Sequence, residues 1–130
     1  MPTLFLIRHA IAEERGEDWP DDTLRPLTAK GAARMKKIAE QLVTLDETAE
    51  IVLTSPLTRA VETAQILKAV WTPSPAVSIV DALAPDHTPA ATAAALGKFK
   101  APARVAVVGH EPDLGAFAAW VIGTRIPLVF

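Results

Sequence analysis

The stretch Leu4-Phe5-Leu6-Ile7-Arg8-His9 is the most informative part of the chain, because an apolar run ends there in a cation and an imidazole. Open α/β sheets bind their ligands at the carboxyl ends of the strands, so Arg8 and His9 stand where a ligand is expected. An anion is the ligand that suits such a pair. Taken alone the pair is a weak signal, since two polar residues often only mark where a buried strand meets water.

Two further segments repeat the pattern of a short β-branched run followed by a helix start. They are Ser55-Pro56-Leu57-Thr58-Arg59-Ala60 and Gly109-His110-Glu111-Pro112. Parallel strands bring their carboxyl ends to one edge of a sheet, so the three segments can meet there. The sequence therefore predicts that Arg8, His9, Arg59 and His110 converge on one pocket.

The remaining segments alternate strand and helix signals. Strands are predicted over residues 4–7, 51–54, 76–80 and 105–108, and each helix start carries a capping hydroxyl or a proline. The predicted starts are Thr28, Ser55-Pro56, Thr88-Pro89 and Pro112. The third helix is expected to end near Gly97 and the last near Ile122. Basic residues of the first helix, Arg34, Lys36 and Lys37, are assigned to its solvated side.

This alternation predicts an α/β fold, a three-layer α/β/α sandwich with a mostly parallel central sheet and helices on both faces. No internal repeat or linker interrupts it, so residues 1–130 are expected to form a single domain. The long polar connection over residues 10–27 has no sustained period. Such a connection in a compact domain is usually functional or mobile.

Composition narrows the possible functions. The chain has 130 residues, a formal charge of -2 and no cysteine, so disulfides, thiolate metal sites and cysteine nucleophiles are excluded. The charge argues against general affinity for nucleic acid or anionic membranes. No signal peptide and no membrane-spanning stretch are recognisable, and we expect a cytoplasmic monomer.

Together these segments resemble the histidine phosphatase superfamily, whose fold is that of phosphoglycerate mutase. The resemblance rests on the strand followed by Arg8-His9, on Ser55–Ala64 (SPLTRAVETA), and on the strand followed by Gly109–Pro112. Leu24-Arg25-Pro26-Leu27-Thr28, followed by Gly31, narrows it toward the small phosphohistidine phosphatase branch. Four ordered motifs span residues 4–115, and their combination is highly specific.

The resemblance implies a role for each candidate residue. His9 is the nucleophile that forms a phosphohistidine intermediate, which water then hydrolyses, without a metal or cofactor. Arg8 and Arg59 present planar donor forks to the phosphoryl oxygens, and His110 donates a hydrogen bond as charge builds in the transition state. Arg25 either contacts substrate or ties down the long loop by pairing with Asp21 or Asp22. Glu62 is expected to hold a nearby backbone group or arginine.

Two departures from the family are informative. Many relatives carry Leu-x-Glu after the third strand, with the glutamate protonating the leaving oxygen, whereas here Leu83-Ala84-Pro85 puts proline in its place. A phosphoramidate nitrogen can be protonated before cleavage, so the loss favours phosphohistidine in a protein as substrate. Asp86 and His87 are near enough in sequence to act as a substitute general acid. The chain also stops at Ile126–Phe130, where relatives continue through closing strands, so we expect a truncated C-terminus.

Three alternatives stay open at this stage. One is a small-molecule phosphomonoesterase of the same superfamily, in which Asp86 is the general acid. Another is a non-catalytic module that binds phosphate in the same pocket. The third is a metal site built from His9, His87 and His110, although no HxH or HExxH spacing supports it.

Overall fold

A four-stranded parallel sheet forms the centre of the computed structural model, which describes residues 3–98 and 104–123. Its strands are β1 (Thr3–Arg8), β2 (Ile51–Thr54), β3 (Ala76–Ile79) and β4 (Arg104–Gly109), in the order β1-β4-β2-β3. Arg8 pairs with Gly109, and Thr54 pairs with Val108. The carboxyl ends of β1, β2 and β4 are therefore level with one another.

Helices cover both faces of this sheet within the described residues. They are α1 (Ala29–Thr44), α2 (Thr58–Val70), α3 (Pro89–Leu96) and α4 (Asp113–Ile122). Val52, Ala106 and Val108 pack with α1 and α2, while the intervening Leu53 and Val107 pack with α3 and α4. This alternation is expected of strands buried on both faces. The predicted α/β/α sandwich, with the phosphoglycerate mutase-like fold, is confirmed.

Most predicted helix boundaries are confirmed to within a residue or two. The hydroxyl of Thr28 accepts the Gly31 N–H at 2.8 Å, and that of Thr88 accepts the Ala91 N–H at 3.1 Å, so both are side-chain N-caps. The predicted start of the second helix is wrong. The helix begins at Thr58 after the N-cap residue Leu57. The Ser55 hydroxyl accepts the Leu57 N–H at 3.2 Å, so its local contact lies just before the helix.

The polar connection after β1 is tied to the start of α1. The Glu13 N–H donates to the Pro26 carbonyl at 2.8 Å, and the Thr28 N–H donates to the Ile11 carbonyl at 3.0 Å. Gly31 is required at its position, since a Cβ there would collide with the Ile11 carbonyl oxygen. The residues just after His9 are thus held firmly against α1.

Over residues 3–98 and 104–123, no helix combines the length and the apolar character needed to cross a membrane. The segment Ile126–Phe130, for which a truncated closing strand was expected, lies outside the described residues.

Candidate active site

The carboxyl ends of β1 and β4 open into a cavity of about 1020 Å³. Every candidate site residue predicted from the sequence lines it: Arg8, His9, Arg25, Arg59, Asp86 and His110. The predicted convergence of three separate segments on one pocket is therefore present in the structure. Gly31, Arg34 and residues of the Glu111–Asp113 turn complete the walls.

His9 is oriented by the backbone on both sides of it. Its N–H donates to the Gly109 carbonyl at 3.1 Å, and its ring Nδ1 lies 2.7 Å from the Ala10 carbonyl oxygen. A carbonyl oxygen only accepts, so Nδ1 carries the proton and Nε2 keeps its lone pair. Thr63 fixes Ala10 in turn, because its hydroxyl accepts the Ala10 N–H at 3.0 Å. The ring therefore offers Nε2 as its free nitrogen.

The surroundings of His9 favour its neutral form. Burial lowers the pKa of His9 below its usual value, against the opposing effect of the Ala10 carbonyl. The guanidinium groups of Arg59, Arg8 and Arg25 lower this pKa further. A neutral imidazole with a free Nε2 is the form that can act as a nucleophile.

His110 stands beside His9, with 5.1 Å between ring centroids and 56° between the ring planes. It is 4% exposed, and burial lowers its pKa to about 3, with His9 and Arg59 acting in the same direction. The ring is thus neutral at pH 7 and holds one proton. Its Nε2 lies 2.7 Å from the Ser55 hydroxyl, while its buried Nδ1 has no hydrogen-bond partner among the described residues.

Ser55 determines which nitrogen of His110 carries that proton. The fully buried Ser55 hydroxyl already accepts the Leu57 N–H at 3.2 Å. If it also accepted a proton from His110, its own hydrogen would have no acceptor among the described residues. The hydroxyl therefore donates to Nε2, which places the His110 proton on Nδ1. The unpartnered nitrogen of His110 is then a neutral hydrogen-bond donor.

Arg59 is the second residue of α2 and is only 3% exposed. Its Nη1 donates to the Asp22 carbonyl at 2.9 Å and its Nη2 to the Asp22 carboxylate at 3.2 Å. Its buried Nε–H has no partner among the described residues, on a guanidinium whose plane is fixed by Asp22.

Asp22 also binds Arg25, and this double contact was not foreseen from the sequence. Its second oxygen accepts from Arg25 Nε at 2.9 Å, while Arg25 Nη1 donates to the Glu13 carbonyl at 2.6 Å. The Arg25 hydrogen bond, followed by the charge of Arg59, lowers the pKa of the Asp22 carboxyl against the effect of burial. Arg25 thus ties down the long loop, and it does so through Asp22 rather than Asp21.

Asp86 lies in an exposed loop at the edge of the cavity and has a φ of 71°. Its N–H donates to the Asp113 carboxylate at 2.8 Å, and the His87 N–H donates to the same oxygen at 3.3 Å. Asp113, the first residue of α4, therefore holds the loop in this left-handed turn.

Glu62 has the structural contact expected of it, because its carboxylate accepts the Leu27 N–H at 2.9 Å.

His87 is not among the residues that line the cavity. Its Nδ1 lies 2.8 Å from the Ala84 carbonyl oxygen. In the part of the chain that the structure describes, no three His, Asp or Glu side chains are grouped closely enough to hold a metal ion. The three histidines therefore do not form the metal site considered from the sequence.

The cavity has a buried part and an exposed part. We call His9, Arg59 and His110 the floor. We call Ile11, Arg15, Arg34 and Ile38 the basic rim; all four line the same cavity. Ile11 and Ile38 are 50% and 42% exposed. Arg34, assigned from the sequence to the solvated side of α1, is exposed but also faces the cavity, whereas Lys36 and Lys37 do not line it.

The chain belongs to the histidine phosphatase superfamily. A sequence model of the histidine phosphatase superfamily (branch 1) matches residues 4–84, which include His9 and Arg59 of the floor. An uncharacterized protein of Picosynechococcus sp. is 42% identical over 117 residues, which cover 88% of this chain and 70% of that protein.

Solved structures share the fold. A putative phosphohistidine phosphatase SixA from Agrobacterium tumefaciens superposes with a TM-score of 0.83 at 22% identity, covering 96% of this chain and 80% of that one. The protein histidine phosphatase SixA complexed with tungstate gives 0.82 at 25% identity, covering 98% and 81%. A putative alpha-ribazole-5'-P phosphatase from Escherichia coli gives 0.73 at 19%, covering 96% and 82%. The fold is thus shared with proteins named for different substrates.

Proposed function

We propose that this protein is a phosphatase in which His9 is the nucleophile and that its substrate is phosphohistidine in a protein. The observation that carries the proposal is the tautomer of His9. Its Nδ1 is held by the Ala10 carbonyl at 2.7 Å, so Nε2 is free to attack phosphorus at the edge of the sheet. Membership of the superfamily supports phosphatase chemistry at this site.

The reaction has two steps. In the first, solvent protonates the substrate imidazole on the ring nitrogen that does not bear phosphorus. A bond then forms between His9 Nε2 and phosphorus, the substrate P–N bond breaks, and its electron pair leaves with neutral imidazole. In the second, water attacks phosphorus, the bond to Nε2 breaks, and inorganic phosphate leaves while the water proton passes to solvent. His9 is regenerated in its neutral form. No step requires a metal, and activity should persist in the presence of a chelator.

The floor supplies donors for the charge that develops on the phosphoryl oxygens. Arg59 has an unpartnered Nε, and His110 has an unpartnered Nδ1 that carries its proton. Arg8 adds a third donor group next to the nucleophile in the chain. Donors already fixed in position stabilise such a transition state strongly, because they need little reorganisation when the charge appears.

Phosphohistidine is favoured as substrate by the Pro85 position. Proline stands where the resemblance places the glutamate of phosphomonoesterases, and it cannot protonate a leaving oxygen. An imidazole nitrogen needs less help because it can be protonated before the bond breaks. The SixA proteins that share this fold are named as a putative phosphohistidine phosphatase and a protein histidine phosphatase, which supports the same choice.

The test measures phosphate release from a histidine-phosphorylated protein, a sugar phosphate and an aryl phosphate, with wild type and His9→Ala. Wild type should turn over the phosphohistidine protein fastest, and labelled phosphate should be trapped on His9. If the labelled enzyme cannot be trapped and no substrate turns over, the pocket is a non-catalytic phosphate-binding module.

A small-molecule phosphomonoesterase is the second candidate. The observation that favours it is the Asp86 loop, which Asp113 holds at the edge of the cavity by two backbone hydrogen bonds. In that case Asp86 protonates an alkoxide leaving group, and sugar phosphates become the better substrates. Faster turnover of a sugar phosphate than of the phosphohistidine protein would favour this candidate.

A further inference from the structure

We infer that the basic rim is a docking surface for an acidic, partly apolar face of the phosphoprotein substrate. This inference rests on the proposed function. It concerns the part of the cavity that contributes nothing to the chemical step. Its four residues, Ile11, Arg15, Arg34 and Ile38, belong to the loop after β1 and to α1.

The apolar part of the rim is rigid. The Ile11 carbonyl accepts the Thr28 N–H at 3.0 Å, and the lack of a Cβ at Gly31 lets α1 approach that carbonyl closely. The backbone is thus fixed while the Ile11 side chain is 50% exposed. Single exposed apolar side chains are ordinary on protein surfaces. Here, however, Ile11 and Ile38 both line the cavity that holds His9. Ile11 is on a fixed loop and Ile38 is on a helix, so together they form a preorganised apolar surface for a partner.

The charged part of the rim is available to a partner. Arg34 precedes Ile38 by one helical turn, so both side chains lie on the same face of α1. Within the described residues Arg34 forms no ion pair. The Arg15 side chain is 80% exposed, and its nearest carboxylate, Asp22, lies 3.7 Å away and is shared with Arg25 and Arg59. The two cations therefore flank the two isoleucines without being neutralised.

The opposite wall of the cavity carries the opposite charge. Asp86, Glu111 and Asp113 line it. Glu111 accepts the Gly115 N–H at 2.9 Å, and Asp113 accepts two backbone N–H groups of the Asp86 loop. An acidic partner is repelled from this wall and attracted to the rim. The two walls thus fix the direction in which such a partner lies across the floor.

A protein suits this surface better than a nucleic acid does. The chain has a formal charge of -2, so its positive potential is local rather than general. No Phe or Trp is among the described residues that line the cavity, and single strands usually need such rings for base stacking. The isoleucines would instead contact apolar side chains of a protein.

The experiment compares one rim variant with a matched control on the same helix. Arg34→Glu and Lys36→Glu make the same change of charge, but Lys36 is exposed and does not line the cavity. The substrates are a histidine-phosphorylated protein with acidic residues around the histidine, and free phosphohistidine. Arg34→Glu should lower kcat/KM for the protein by about tenfold, as expected for a steering charge, and leave free phosphohistidine within about twofold. Lys36→Glu should change neither substrate appreciably.

Ile38→Ser tests the apolar part of the rim. It should lower kcat/KM for the histidine-phosphorylated protein and not for free phosphohistidine. Equal losses on both substrates, or no loss on either, would overturn the inference. Binding of the unphosphorylated acidic protein gives a readout that does not need turnover, and Arg34→Glu should weaken it in the same way. If wild type hydrolyses neither substrate, the proposed function fails while this binding result still decides the role of the rim. Arg34-dependent binding of single-stranded DNA, with protein binding unchanged, would assign the rim to nucleic acid.

Discussion

The floor and the basic rim differ most in how their side chains are held. Arg59 and His110 of the floor are 3% and 4% exposed, and each is fixed by hydrogen bonds to a buried or partly buried partner. Ile11 and Ile38 of the rim are 50% and 42% exposed. A fixed and largely buried part suits a reaction whose transition state has one geometry, whereas an exposed part suits recognition of a partner's surface. Changes in the floor should therefore affect every substrate, and changes in the rim only large ones.

The largest effect is expected from His9, the proposed nucleophile. His9→Ala should lower turnover of every substrate by at least about 10³-fold, because no other group replaces Nε2. The fold should be retained, since His9 follows the last residue of β1 and is not part of either core cluster. Phosphate release measures the loss of turnover, and a thermal melt checks that the fold is retained. His87→Ala is the matched control, because His87 lies outside the cavity and should keep wild-type activity.

The next largest effect is expected from Arg59. Arg59 is buried, and removing a buried charged donor costs on the order of 3 kcal/mol of transition-state stabilisation, roughly 100-fold in kcat/KM, so Arg59→Ala should lose about that much. Arg59→Lys should recover only part of it, since an ammonium keeps the charge but cannot reproduce the contacts of the guanidinium with Asp22. Steady-state kinetics on an aryl phosphate measure both variants. Full recovery by lysine would mean that only the positive charge at this position matters, and not the hydrogen-bond geometry of the guanidinium.

A smaller effect is expected from Ser55, which touches the floor without lining the cavity. Ser55→Ala removes the donor to His110 Nε2, so the proton is no longer confined to Nδ1 and turnover should fall by about tenfold, the value of one hydrogen bond. Nitrogen NMR of the imidazole reports the tautomer directly. Retention of the proton on Nδ1 in Ser55→Ala would show that another group orients His110.

The sequence predicted the sheet well because its strands are near-continuous apolar runs with clear ends. β2 was predicted to the residue, and the starts of α1 and α3 follow from hydroxyl caps that need only local contacts. Ser55-Pro56 looked like the same local signal. The Ser55 hydroxyl does accept a local N–H, that of Leu57 at 3.2 Å, but the helix begins only at Thr58. The serine and proline thus predicted the turn after β2 and not the first helical residue, and the contact of the same hydroxyl with His110, 55 positions away in the chain, was not foreseen.

The convergence of Arg8, His9, Arg59 and His110 could be predicted because each lies at the end of a strand or at the start of the next helix, and the fold brings these points together. The side chains that hold these residues in place were predicted less well. Asp22 lies in a loop with several carboxylates and no period, so nothing distinguished it as the one that binds both Arg25 and Arg59. The Ser55 contact had a usable signal, since Ser55 and His110 directly follow the neighbouring parallel strands β2 and β4. Two polar residues that directly follow adjacent parallel strands are good candidates for a pair.

The pH dependence tests how far the floor depends on its cations. Burial, and then the charges of Arg59 and Arg8, lower the pKa of His9, so kcat/KM should stay high at pH values where an ordinary histidine is already protonated. Arg8→Gln removes one of these cations and should let that pKa rise. The acid limb of the profile should then move to higher pH, because the neutral nucleophile is lost earlier on acidification. An unchanged limb would assign it to a group other than His9.

The smallest effect is expected from Asp86, the exposed carboxylate opposite the basic rim. If the substrate is phosphohistidine, the leaving nitrogen needs no acid from the protein, and Asp86→Asn should change the rates for phosphohistidine and aryl phosphate by no more than about twofold. The loop itself should be undisturbed, because Asp113 holds it through backbone N–H groups and not through the Asp86 side chain. Alkyl phosphates give the decisive comparison, since an alkoxide leaves poorly without a proton. If wild type cleaves alkyl and aryl phosphates at similar rates and Asp86→Asn loses only the alkyl activity, Asp86 is a general acid, and the small-molecule phosphomonoesterase becomes the better assignment.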